Sequence, residues 1–168
     1  MNIDWSKIDM RVSRTETKKA HDRLQALTTP LAMLSKKQQA NLPVSEFFLD
    51  ELDQLASITS AAAKNRQIKR VGKLIVEEDR HTLTQALFEM TFSAPQIAKI
   101  QTWLTRLSLE DESTIKQFVK QFNASEFNSI YQLLLWIEYA KHLADDDLLA
   151  ESVADFESYI KEVAILSI

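Results

Sequence analysis

Glycine is almost missing from this 168-residue chain: there is one, Gly72, beside three prolines and no cysteine. Hairpin turns, phosphate-cradling loops and dinucleotide fingerprints all need glycines for positive φ or close backbone approach. A single glycine builds none of them. The missing cysteines exclude disulfides, thiolate nucleophiles, zinc knuckles and iron–sulfur ligation together. The three histidines, His21, His81 and His142, lie too far apart for paired metal-ligand spacing. The first residues, MNIDWSKIDM, lack the apolar core of a secretion signal. No apolar run approaches the roughly 18 residues of a membrane span. These absences predict an all-α, soluble, cytoplasmic protein with no membrane partner, no metal and no cofactor.

What is present is a 45% hydrophobic, 26% charged composition, enough to bury a core. The length fits one domain or two small ones. The net charge of −4 is unevenly spread. Residues 1–80 hold 14 Lys+Arg and 11 Asp+Glu; residues 81–168 hold 6 and 13. A mildly basic half joined to an acidic half suggests an electrostatic division of labour.

Apolar spacing gives helices throughout. Ser13-Arg14-Thr15-Glu16 reads as a capping box in front of Ala20, Leu24 and Leu27. Phe48, Leu52, Leu55, Ile68, Val71 and Ile75 predict one long helix over about 46–76, bent near Thr59. Such a helix would span roughly 45 Å. Another is expected over about 80–90. Ser93-Ala94-Pro95 is the expected boundary, because aromatic content shifts near there: three of the 14 aromatics precede residue 80 and 11 follow it. Four further helices are expected around 97–107, 115–122, 127–137 and 149–163. The predicted organisation is two small helical subdomains joined near residue 93. Residues 1–12 are read as a flexible tail, 13–92 as a basic subdomain and 93–168 as an acidic, aromatic-rich one.

The sharpest feature is Lys64 to Lys73, which contains no acid. At 100° per residue, Arg66, Lys69, Arg70 and Lys73 share one face, and Ile68, Val71 and Ile75 the other. Fixed cations on a rod backed by a core stripe form a phosphate-tracking surface. A second basic set, Arg14 and Lys18 with Lys19 beside them, lies on the first helix. Gly72, inside a helix, costs about 1 kcal/mol relative to Ala, which close packing against another helix would explain. Asp145-Asp146-Asp147 points its carboxylates in different directions and reads as a helix start rather than a metal site. No nucleophile–base constellation is present, so no catalytic residue is assigned.

An ordered series of residues carries a resemblance. Ser13-Arg14, Lys18-Lys19, Leu34-Ser35-Lys36 with Gln38, Leu42-Pro43-Val44-Ser45-Glu46 with Leu49-Asp50, Arg66-Gln67, Val71-Gly72-Lys73-Leu74 and Asp79 together resemble the YjgA/DarP family of bacterial ribosome-associated proteins, over about residues 12–88. The resemblance implies an all-α fold, no enzymatic activity, and binding to large-subunit (23S) ribosomal RNA of the late precursor 50S particle. It places the protein at the subunit interface, promoting maturation of the peptidyl transferase centre. Carried over by position, the RNA-binding residues are Arg14, Lys18, Lys19, Arg66 and Lys73; Lys69 and Arg70 are added by the helical-face argument. The sequence departs from the family at Val76, where a basic residue is usual, and at Lys141–Asp147, where a Lys-rich stretch has become acidic. The protein is expected to be a monomer; the alternative expectation is a helical protein-interaction adaptor whose acidic C-terminal half binds a basic partner such as a ribosomal protein.

Overall fold

The computed structural model describes residues 2–11 and 13–168. Eleven α-helices are seen among them, and no strand. In chain order they are α1 Arg14–Ala26, α2 Thr28–Met33, α3 Lys36–Ala40, α4 Glu46–Asp53, α5 Ala61–Leu74, α6 Arg80–Thr91, α7 Ala94–Gln101, α8 Trp103–Arg106, α9 Glu112–Gln121, α10 Phe127–Leu143 and α11 Asp146–Leu166. The chain divides into two compact units, residues 18–93 and residues 1–17 with 94–168. The division between Thr17 and Lys18 falls inside α1.

The unit of residues 18–93 is made of short helices started by side-chain caps. Ser35 forms a full capping box with Gln38 at α3. Ser45, Ser60 and Asp79 accept backbone N–H bonds at the starts of α4, α5 and α6. Each cap satisfies a donor that a helix start leaves orphaned. Leu27, Leu31, Phe48, Leu52, Val71 and Leu83 form the centre of the core, each nearly inaccessible.

The long helix expected over 46–76 does not exist. It is broken into α4, a 3-10 turn at Gln54–Ser57, α5 and a second 3-10 turn at Ile75–Glu77. Residues of weak helix propensity lie at the break. Ser57 Oγ donates to the Gln54 carbonyl at 3.0 Å, and Ser60 Oγ accepts from the Ala63 N–H at 3.4 Å. The break lets α5 fold back on α4. Gln67 Nε2 donates to the Glu51 carbonyl at 2.7 Å, whereas a straight helix would hold these residues about 24 Å apart. Gly72 faces α1 and α2, where a Cβ would lie 3.3 Å from Gln25 Cβ and 3.5 Å from Thr28 Oγ1. Close helix packing therefore accounts for the glycine.

The other unit is built on two long helices, α10 and α11. Phe118, Ile130, Leu135, Tyr159, Ile160 and Val163 lie in its core. Trp103, Phe118 and Phe122 make a run of ring contacts, with centroids 5.3 and 4.6 Å apart. The Tyr159 hydroxyl accepts from the Glu126 N–H at 3.0 Å, at the start of α10, where no side-chain cap is present. Between the two helices, Ala144 takes a left-handed conformation (φ 51°) and closes a Schellman turn. Its N–H donates to the Lys141 carbonyl, and the Asp145 N–H to that of Ala140. Asp145 then caps α11 through the Leu148 N–H at 3.0 Å. The three consecutive aspartates are a helix start, as their spacing suggests.

The segment read as a loose tail carries structure. Trp5–Lys7 forms a 3-10 turn, and the Trp5 ring lies 5.2 Å from Tyr139 and 5.6 Å from His142. An unperiodic sequence hides a single aromatic anchor of this kind.

Candidate nucleic-acid interface

Helix α5 positions the cations. Gln67, Val71 and Gly72 turn inward, followed by Ile75 just past its end. Arg66, Lys69 and Lys73 stand on the opposite, exposed face. None of the three has a hydrogen-bond or ion-pair partner among the described residues. Their spacing of three and four residues makes a row along the helix, one cation per turn.

Arg70 belongs to the same arc but is occupied. Its Nε and Nη2 donate to the Glu51 carboxylate at 2.8 and 3.2 Å. Gln67 Nε2 adds a bond to the same carboxylate at 3.0 Å. Glu51 is buried on α4, and these bonds hold its carboxyl below the ordinary range, Arg70 contributing most. The pair raises Arg70 in turn, chiefly by the same hydrogen bonds. Arg70 is thus a strut between α5 and α4 whose charge is compensated. Sequence reasoning missed Glu51, because nothing in helical periodicity links positions 19 residues apart.

On α1, Arg14 and Lys18 are exposed and without a partner among the described residues, one helical turn from each other. Lys19 is half-buried and engaged in an interaction. Ser13 accepts from the Glu16 N–H at 3.3 Å, while the Glu16 carboxylate accepts from Asn128 and Ser129 at 3.0 and 2.7 Å. Just before α1, Arg11 clasps Asp9 with two guanidinium nitrogens, and this hydrogen bonding brings the Asp9 carboxyl down to about 2. Lys36 pairs with Asp53 at 3.6 Å. Among the described residues, no group of three or more His, Asp or Glu could hold a metal ion. No helix described is long and apolar enough to cross a membrane.

The sequence profile of the dual-action ribosomal maturation protein DarP matches residues 10–155. The chain belongs to the DarP family. The match reaches well beyond residues 12–88, through the aromatic, acidic half and into α11. Among its relatives, the dual-action ribosomal maturation protein DarP of Methylobacillus flagellatus is 28% identical over 127 residues, 73% of this chain and 70% of the relative. The DarP protein of Nitrosomonas eutropha is 26% identical over 144 residues, covering 83% and 81% of the two chains. That of Xylella fastidiosa is 26% identical over 129 residues, covering 73% and 68%. No solved structure matches this chain. Asp145, Asp146 and Asp147 are all exposed, and Asp145 caps α11.

Proposed function

We propose that this protein is a non-enzymatic ribosome maturation factor of the cytoplasm. It binds 23S rRNA of the late precursor 50S particle at the subunit interface and promotes maturation of the peptidyl transferase centre. Membership of the DarP family supports the ribosomal setting. The observation that carries RNA contact is the row Arg66, Lys69 and Lys73, three exposed cations without acid partners on one face of α5. Phosphates repeating along a backbone suit such a row, and an acid-free face does not neutralise itself. Arg14 and Lys18 supply further phosphate contacts. Arg70 orients α5 and meets RNA less than its neighbours, since Glu51 takes two of its nitrogens and compensates its charge.

The test is filter binding of the full chain to 23S rRNA across a salt series. Three phosphate contacts give a slope of log K against log salt on the order of −2 to −3 from α5 alone. Reversing the row with Arg66→Glu, Lys69→Glu and Lys73→Glu removes that slope and the sedimentation of the protein with precursor 50S particles, with helicity unchanged. An affinity indifferent to salt and to these three charges would refute the reading.

A further inference from the structure

The unit of residues 18–93 sorts its charges by sign. Residues 64–73 contain no acid, and residues 38–63 contain no Lys or Arg. The cation-free segment includes α4, whose exposed face carries Glu46, Phe47 and Asp50. Phe47 is 55% exposed, although its neighbour Phe48 is fully in the core. The start of α4 is fixed to the end of the 3-10 turn Ile75–Glu77. Ser45 donates its N–H and its Oγ–H to the Glu78 carboxylate, the Oγ at 2.6 Å. The residues just before Glu78 are a second exposed apolar side chain, Val76 at 38%, and the exposed Glu77. Pro43, exposed, and Val44, half-buried, precede the clamp.

The charges of this corner are unspent. Glu51 turns inward to Arg70 and Asp53 pairs with Lys36, but Glu46, Asp50 and Glu77 have no partner among the described residues. Glu46 and Asp50 are like charges one helical turn apart, an arrangement that disfavours a helix. An aromatic ring left in water between uncompensated carboxylates fits a partner that is cationic and apolar at once.

We propose that the corner formed by Glu46, Phe47, Asp50, Val76 and Glu77 docks a Lys/Arg-rich protein segment that inserts an apolar side chain against Phe47. The corner's carboxylates repel a phosphate backbone. The inference goes beyond the RNA reading and stands on different residues.

The probe is a fluorescein-labelled synthetic peptide alternating Lys, Arg and Leu, titrated against the full chain by anisotropy. Phe47→Ser weakens its binding about tenfold, and Glu46→Lys with Asp50→Lys about a hundredfold. These side chains are exposed, so circular dichroism and the melting temperature of each variant stay near those of the parent. Phe47→Ser leaves a leucine-free Lys/Arg peptide unaffected, which separates the apolar anchor from bulk charge. Asp146→Asn with Asp147→Asn, at the other acidic cluster, leaves both peptides unaffected. Phe47→Ser leaves filter binding of the full chain to 23S rRNA unchanged. Binding indifferent to Phe47, Glu46 and Asp50, or lost with Asp146 and Asp147, overturns the proposal. Binding of 23S rRNA weakened by Phe47→Ser overturns it in favour of RNA. Self-association in sedimentation that Phe47→Ser abolishes overturns it in favour of a second copy of the chain.

Discussion

In residues 18–93 no helix exceeds the 14 residues of α5, while residues 94–168 contain helices of 17 and 21 residues. The first unit holds 11 Lys+Arg against nine Asp+Glu, and four aromatics. The other, with residues 1–17 included, holds nine against 15, and ten aromatics. The contrast shows two ways to stabilise helices too short or too polar to persist alone. Residues 94–168 rely on aromatic burial along long helices. Residues 18–93 rely on caps and clamps: Ser35, Ser45, Ser60 and Asp79 start its helices, and Glu51–Arg70 and Ser45–Glu78 tie them together.

The largest effect that tests this contrast is at the aromatic core. Phe118→Ala removes the ring between Trp103 and Phe122 and costs about 3–5 kcal/mol. Hydrogen exchange then accelerates in α9, α10 and α11. If α5 amides accelerate to the same degree, the two units unfold as one and the contrast fails. Next is Gly72→Leu, which forces a side chain against Gln25 Cβ and Thr28 and costs about 1–3 kcal/mol by overpacking, read as a lowered denaturation midpoint.

Two smaller changes have opposite signs. Ser45→Ala loses the cap of α4 together with the Glu78 hydroxyl bond and destabilises by about 1 kcal/mol. Ala144→Gly relieves a left-handed alanine and stabilises by about 1 kcal/mol in thermal melts. The smallest effect is in pH. The Glu51 carboxyl lies below its ordinary value in the folded chain, so its stabilisation is fully present above that ordinary value. It is lost as pH falls through the lowered one. Acid titration followed by exchange therefore loosens α4 and α5 in the parent, and Glu51→Gln, already weakened at neutral pH, shows a shallower acid response there. Equal acid responses in parent and variant would remove Glu51 as the clamp.

The all-helical class followed from one glycine, no cysteine and the three-and-four spacing of apolar residues, because these are properties of local chain geometry. Caps such as Ser13 and Asp145 were legible for the same reason: a side-chain oxygen reaches a backbone N–H only a few residues away. The row Arg66, Lys69 and Lys73 was legible because one helix fixes which side chains share a face. Three things were decided only by tertiary structure. Whether 46–76 is one helix or two depended on Gln67 and Arg70 finding Glu51 across the break, and helical periodicity does not encode contacts 16 to 19 residues apart. The fate of Arg70 followed from that contact, since a guanidinium on a cationic face is indistinguishable in sequence from its neighbours until a buried carboxylate claims it. The anchoring of Trp5 on Tyr139 and His142 depended on residues more than 130 positions away, beyond the reach of any local pattern.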